Sequence, residues 1–203
     1  MRASPVQTVY AAGVHAPSCA ASCKEIALTN SADSSPPSGQ AIDPQLLELA
    51  QQVFDLARRG DAAMLAAVIE KGVPPNLRNE NGDSLLMLAS YHGHVDAVRT
   101  LLERGADPDL RNNNGQTPIA GAAFKGSEGV VETLLAHGAD VEGASPDGRT
   151  ALMVAAMFNR TAIMDLLIAH GAKPDARDAA GASALDAAGR MGAADAQAKL
   201  RNA

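Results

Sequence analysis

Apolar residues recur along most of the chain in short helical runs separated by polar turns and glycines. In one well-defined unit, a polar turn over 79–83 leads into apolar runs over 84–91 and 95–103, with Gly93 between them. This spacing predicts a first helix, a glycine break, a second helix and a Gly-Ala exit. The unit returns every 33 residues, as in the glycine column at 82, 115, 148 and 181. A chain with a fixed period of this length folds as a stack of similar units.

The start of the folded part is marked by Asp43-Pro44. Aspartate is a preferred helix N-cap and proline is favoured at the first helical position, and apolar residues then follow at helical spacing as far as Ala57. The preceding segment, 1–43, is rich in Ala, Ser, Pro and Gly and has no sustained period. Such a composition cannot bury enough apolar surface to offset the entropy of ordering. We therefore predict a disordered tail over 1–43 and a folded domain over 44–203.

The breaks between paired helices are predicted at residues that tolerate a positive φ. Gly60, Gly93, Gly126 and Gly192 occupy this position in the first, second, third and fifth units, and Asn159 occupies it in the fourth. Each break is expected to turn the chain between two antiparallel helices.

Two stretches carry a family resemblance. Residues 116–119 (Gln-Thr-Pro-Ile) with Ala122, and residues 134–140 (Leu-Leu-Ala-His-Gly-Ala-Asp), resemble the ankyrin repeat. The resemblance covers about 160 of the 203 residues. It implies an all-α ankyrin-repeat solenoid of about five stacked helix-turn-helix units. We expect the repeats at 46–78, 79–111, 112–144, 145–177 and 178–203, with atypical first and last repeats that cap the stack.

The chain departs from the family pattern at two positions of the first helix. Gly121 stands where adjacent repeats have Leu88 and Val154, and a helical glycine costs about 1 kcal/mol relative to alanine. The third repeat is therefore predicted to be the weakest of the stack. The histidine of the family's Thr-Pro-Leu-His turn is also replaced, so its usual hydrogen bond to threonine is expected to be missing. The replacing residues are Met87, Ala120, Met153 and Asp186.

The resemblance implies a binding surface on the concave side, formed by the turn tips and the exposed ends of the first helices. Tyr91, Phe124 and Phe158, three of the chain's five aromatic residues, fall in this helix-end column. Large apolar groups beside cations at solvent-facing positions are typical of interaction hot spots. Alternatively these rings pack between neighbouring first helices and stiffen the stack, and both roles can coexist. The predicted partner-binding residues are Tyr91, His92, Phe124, Lys125, Met157, Phe158, Asp83, Gln116 and Arg149.

Composition and charge narrow the class of partner. The net charge is −6 and neither sign forms a run, which argues against non-specific binding to nucleic acid. Cys19 and Cys23 both lie in the predicted tail, so no disulfide framework holds the fold, and a reducing cytoplasm is expected. No apolar run has the length of an export signal or a membrane span. We expect a cytoplasmic monomer that binds protein and neither nucleic acid nor membrane.

Candidate chemistry is sparse. The sequence has no Ser/His/Asp, Cys/His or phosphate-loop arrangement. His137 and His170 share one repeat position, but stacked helices lie about 8–10 Å apart, too far for one metal ion, so each is expected to stabilise the C-terminus of its own helix. His92 and His94 flank Gly93, yet a native metal site is not predicted there. We expect no catalytic residue, cofactor or metal.

These observations predict a non-catalytic module for protein–protein interaction. A finer resemblance links the stretches 81–94 and 115–126 to small, free-standing bacterial ankyrin proteins, some of which are associated with catalase. This resemblance implies an alternative function, that of an accessory or chaperone-like modulator of a neighbouring enzyme such as a catalase in oxidative-stress defence.

Overall fold

The computed structural model describes residues 44–202, with side chains from residue 47 onward. This range holds ten α-helices arranged as five successive pairs, and its single β-bridge joins Arg78 to Ser84. The predicted tail, 1–43, lies outside the described residues. The helices are α1 (Pro44–Arg59), α2 (Ala62–Glu70), α3 (Leu85–His92), α4 (Val95–Glu103), α5 (Pro118–Lys125), α6 (Glu128–Ala136), α7 (Ala151–Met157), α8 (Thr161–Ala169), α9 (Ala184–Met191) and α10 (Ala194–Arg201).

The helices form two layers. The first helices of the pairs pack in the order α1, α3, α5, α7, α9, and the second helices pack in the order α2, α4, α6, α8, α10. Each first helix also packs against the second helix of its own pair. Every pair therefore contacts chiefly its neighbours along the stack, which confirms the predicted all-α solenoid.

The ends of the first helices follow from local sequence. Ser84, Thr117, Thr150 and Ser183 each cap a first helix, because the side-chain oxygen accepts a hydrogen bond from the amide of the third helical residue. The predicted breaks have positive φ, with 75° at Gly60, 81° at Gly93, 85° at Gly126, 55° at Asn159 and 69° at Gly192. Asn159 is the only non-glycine residue with positive φ among the described residues, which confirms its predicted role.

The core is built from columns of aliphatic residues that repeat every 33 positions. Leu86, Ile119 and Leu152 are fully buried in the first-helix layer, and Leu101, Leu134 and Leu167 are fully buried in the second. Burial of one such side chain contributes about 1.5–3 kcal/mol. The column of Ala89, Ala122, Ala155 and Ala188 is also fully buried, so small side chains separate adjacent first helices.

Hydrogen bonds from backbone amides to polar side chains link the turns of successive repeats. The Asn76 Oδ1 atom accepts from the Asp107 amide at 2.8 Å, and the Asp109 Oδ1 atom accepts from the Asp140 amide at 2.9 Å. The Glu142 Oε1 atom accepts the equivalent bond from the backbone amide of Lys173 in the next turn. The acceptors lie 33 residues apart, so one column of Asn, Asp and Glu supplies the same bond three times. Burial raises the pKa of the Asp109 carboxyl.

Candidate protein-binding groove

A groove of about 810 Å³ runs across α3, α5 and α7, between the ends of these helices and the turns that precede them. It brings together eight of the nine residues that the sequence predicts as partner contacts, while Lys125 lies beside it, over the ring of a lining residue. The eight lining residues are Tyr91, His92, Phe124, Met157, Phe158, Asp83, Gln116 and Arg149.

A row of three aromatic rings crosses the groove. The ring centroids of Tyr91 and Phe124 are 6.0 Å apart with planes only 12° from parallel, and Phe124 meets Phe158 edge to face at 4.7 Å. These geometries are favourable for aromatic pairs. Tyr91 and Phe124 nevertheless remain 39% and 37% exposed. The rings thus pack across three repeats while two of them still offer surface to solvent.

Lys125 lies over the first ring of this aromatic row. Its Nζ atom lies 4.4 Å from the centroid of the Tyr91 ring and 6.0 Å from that of Phe124. A cation at these distances is attracted by the ring faces. Among the ion pairs formed within residues 47–202, none involves Lys125. Its charge therefore lies against aromatic surface at the edge of the groove.

His92 lies beside the first ring of the row. Its ring meets Tyr91 edge to face with centroids 5.7 Å apart, and it stacks on His94 with centroids 6.1 Å apart. Burial lowers the pKa of His92, and coulombic repulsion by His94, Lys125 and Arg58 lowers it further. These surroundings therefore favour the neutral form of the imidazole.

Gly121 lies on the floor of the groove, in the middle of α5. A Cβ atom at this position would lie 3.6 Å from the Sδ atom of Met87 and 3.9 Å from the Cδ2 atom of Tyr91, which are ordinary contact distances. The equivalent Leu88 in α3 is only 8% exposed. The missing side chain therefore leaves a notch at Gly121, bordered by Met87 and Tyr91.

A network of amide groups holds the polar rim. The Asn112 side chain is almost buried, and its Nδ2 atom donates to Asp83 Oδ1 at 2.9 Å and to Gln116 Oε1 at 3.1 Å. Asn79 donates to the other carboxylate oxygen of Asp83 at 3.3 Å. Asp83 and Gln116 thus join the second and third repeats as well as lining the groove. Sequence reasoning missed Asn112, although Asn79 and Asn112 share one repeat column.

Arg149 lies on the rim formed by the fourth repeat. Its Nε atom is 3.0 Å from Asp147 Oδ2, and both side chains are about half exposed. The Ser145 hydroxyl donates to Asp147, and this bond is the main cause of the lowered pKa of that carboxyl. An ion pair exposed to this degree contributes only about 0–1 kcal/mol, so the guanidinium can exchange it for a partner's carboxylate at little cost.

The remaining candidates have structural roles. The Nδ1 atoms of His137 and His170 each donate at 2.8 Å to a carbonyl oxygen four residues earlier, those of Thr133 and Leu166, which confirms their predicted place at helix C-termini. Over residues 44–202, no three His, Cys, Asp or Glu side chains cluster as metal ligands would. None of the described helices combines the length and apolar character needed to cross a membrane.

Comparison with known proteins places most of the domain in a single family. The family model for ankyrin repeats in three copies matches residues 53–145, and the model for a single ankyrin repeat matches residues 147–179. A protein of Pseudomonas aeruginosa named as an ankyrin repeat protein is 60% identical over 58 residues, which are 29% of this chain and 34% of that protein. Human ankyrin repeat domain-containing protein 29 is 44% identical over 54 residues, which are 26% of this chain and 18% of that protein. The matched segments thus span about a third of the first relative and less than a fifth of the second.

Proposed function

Since the chain belongs to the ankyrin repeat family, whose repeats serve as protein–protein interaction modules, we propose that it binds a protein partner through the groove described above. The aromatic row of Tyr91, Phe124 and Phe158 is the proposed anchor. His92, Lys125 and Arg149 set the polarity of the contact, Met157 extends the apolar surface, and Asp83 and Gln116 form the polar rim.

The observation that carries this proposal is the incomplete burial of the aromatic row. Tyr91 and Phe124 stack on each other, yet more than a third of the surface of each residue remains exposed. A partner that covers such rings removes apolar surface from water at about 25 cal/mol per Å². Aromatic side chains in desolvated pockets are also the usual hot spots of protein interfaces.

The proposal is tested by capture of partners from native lysate. The wild type is compared with a Tyr91→Ala, Phe124→Ala, Phe158→Ala triple variant, after circular dichroism has established that both are folded. The matched control is Leu47→Ala, Met64→Ala, which removes side chains that are 46% and 49% exposed and do not line the groove. A partner held by the wild type and the control but lost by the triple variant supports the groove. Equal recovery on all three proteins would place the function on another surface.

The alternative, an accessory or chaperone-like modulator of a neighbouring enzyme such as a catalase, predicts a narrower outcome of the same experiment. Here the captured partner is a single enzyme in a defined stoichiometric complex, and co-expression with the chain protects its activity. Capture of unrelated proteins, with no effect on catalase activity, would contradict this alternative.

We further propose that the chain acts without catalysis, cofactor or metal, as a monomer in the cytoplasm, on protein rather than nucleic acid or membrane. Ankyrin repeat proteins are generally non-catalytic. The groove is an open depression that leaves its central rings in contact with water, whereas enzymes enclose their reactants. A metal or cofactor that copurifies in stoichiometric amount, or a dimer in sedimentation analysis, would overturn the corresponding part.

A further inference from the structure

We propose that the occupant of this groove is an acidic segment of the partner protein that seats one bulky apolar side chain in the notch at Gly121. This inference rests on the proposed function and adds the chemistry of the ligand. Two independent observations carry it, the shape of the groove floor and the placement of charge around it.

The shape follows from a missing side chain. In α3 the floor position is filled by Leu88, whereas in α5 it is Gly121 and no side chain covers the floor. The walls beside it are the Met87 sulfur and the edge of the Tyr91 ring. Methionine adapts its shape readily, and sulfur and aromatic edges both make favourable contacts with apolar groups. The notch therefore suits one side chain of the size of leucine, methionine or phenylalanine.

The notch is also favourable as a binding position because it opens from a rigid element. Ile119 and Ala122 on the same helix are fully buried, so α5 is held in place by the core while Gly121 faces the groove. When a partner's side chain enters the notch, little binding free energy is therefore lost to ordering of this chain.

The charged side chains that line the groove have a net sign opposite to that of the whole chain. The chain carries a net charge of −6, but the charged residues that line the groove are Arg58, Arg149 and Asp83. Asp83 already accepts hydrogen bonds at both carboxylate oxygens, from Asn79 and Asn112. The groove therefore presents more cationic than anionic groups to an occupant.

Lys125 is the cation best placed to select an anion. Arg58 and Arg149 have exposed acidic partners, Asp55 at 2.7 Å and Asp147 at 3.0 Å, whereas the Lys125 ammonium lies over the Tyr91 ring. A carboxylate brought to this ammonium forms a charge-assisted hydrogen bond without breaking an ion pair among the described residues. The same ring borders the notch, so an acidic residue and an apolar residue a few positions apart can engage both features.

The test is selection from a displayed library of random linear peptides on the purified full chain. We expect the enriched peptides to combine Asp or Glu with one Leu, Ile, Met or Phe a few residues away. A synthetic peptide of the enriched sequence should bind at least about tenfold more weakly to Gly121→Leu, which fills the notch, and to Lys125→Glu, which reverses the charge. The control variant Glu132→Lys, on the exposed surface of α6 outside the groove, should bind as the wild type does.

Both test variants are chosen so that a loss of peptide binding does not reflect misfolding. Gly121→Leu places in α5 the residue that α3 already has at this position, and Lys125→Glu changes an exposed side chain at the end of the helix. Both are expected to retain the helical circular dichroism of the wild type. Selection on Lys125→Glu should in addition shift towards peptides that contain Lys or Arg, a gain that an unfolded protein cannot produce.

The outcomes separate this inference from the proposed function. Neutral or basic peptides that lose binding on Tyr91→Ala would contradict the acidic ligand and leave the groove as the binding site. Peptides that bind Gly121→Leu as tightly as the wild type would overturn the notch. Peptides indifferent to Tyr91→Ala and Phe124→Ala would contradict both proposals, and a selection without enrichment would overturn a linear segment as the ligand.

Discussion

The first helices of the second and third repeats, α3 and α5, are closely matched in construction. Each has eight residues, begins after a hydroxyl side chain that accepts the amide hydrogen bond of the third residue, and ends at a glycine with φ of 81° or 85°. At equivalent repeat positions, Leu86 in α3 and Ile119 in α5 are both completely buried. They differ most on the face that lines the groove, where α3 has Leu88 and α5 has Gly121.

This difference separates the residues that hold the stack from the residues that shape its surface. The shared caps, breaks and core columns set the position of both helices, so the groove face can vary without changing the fold. Gly121 costs about 1 kcal/mol of helix stability relative to alanine, and it opens the floor between Met87 and Tyr91. A residue that weakens the scaffold at the centre of the groove is more readily explained by binding than by folding.

The largest expected effect tests whether the two helices are equally essential to the core. Leu86→Ala and Ile119→Ala should each lower the free energy of unfolding by about 2–5 kcal/mol, because each leaves a cavity in a fully buried column. Urea unfolding followed by circular dichroism measures both. Ile119→Val serves as the conservative control and should lose about 0.5–1.5 kcal/mol. A much smaller loss for Ile119→Ala than for Leu86→Ala would show that α5 is more loosely packed than α3.

A second substitution makes α3 resemble α5. Leu88→Gly should lower the free energy of unfolding by about 2–4 kcal/mol, since it removes a nearly buried side chain and adds the helix penalty of glycine. The same urea titration measures the loss, with Leu88→Ala separating the packing contribution from the glycine contribution. If Leu88→Gly leaves the free energy of unfolding unchanged, the floor position does not contribute to stability. The difference between the two helices at this position would then have no effect on the stability of the fold.

The reverse substitution makes α5 resemble α3 more closely. Gly121→Ala should raise the free energy of unfolding by about 1 kcal/mol, because the new Cβ atom reaches Met87 and Tyr91 at ordinary contact distances and the helix gains rigidity. Differential scanning calorimetry should show a higher melting temperature. An unchanged or lower melting temperature would contradict the predicted weakness of the third repeat.

The smallest expected effect concerns the dependence of stability on pH. It again distinguishes α3 from α5, since His92 and Lys125 occupy the same repeat position. The pKa of His92 is lowered in the folded chain, chiefly by burial and further by His94 and Lys125. The unfolded chain therefore binds the proton more tightly, and stability attributable to His92 is lost as the pH falls below about 6.5 and levels off below the folded pKa. Thermal melts of the wild type and His92→Gln between pH 7.5 and 5 should diverge in this direction, while Lys125→Gln should narrow the difference. A wild type that gains stability relative to His92→Gln on acidification would contradict the assignment.

Much of the fold could be predicted from the sequence because it depends on local rules that repeat. The period of 33 residues, the hydroxyl caps and the glycine breaks each act within a few residues of the chain, and even Asn159 was identifiable as a break. The replacement of the family histidine was also evident, whereas the hydrogen bonds that Asp186 makes at this position in the last repeat were not. There the Asp186 carboxylate accepts from the Ser183 amide at 2.9 Å and from its hydroxyl at 2.7 Å, forming a capping box.

The groove was less predictable because its details depend on contacts between repeats. The aromatic column was visible as a pattern, but the bond from Asn112 to Asp83 joins residues 29 apart and the contact of Lys125 with Tyr91 joins residues 34 apart. Both depend on the rotation of one repeat relative to the next, which no local rule specifies. Gly121 was recognisable as a weakness, but the notch depends on where the Met87 and Tyr91 side chains point.

The most direct test of the central claim is the affinity of a partner captured by the wild type for the Gly121→Leu variant, measured by isothermal titration calorimetry. We expect this variant to bind at least about tenfold more weakly, with a melting temperature equal to or higher than that of the wild type. Equal affinity for the two proteins would contradict it, because a filled groove floor would then leave recognition unchanged.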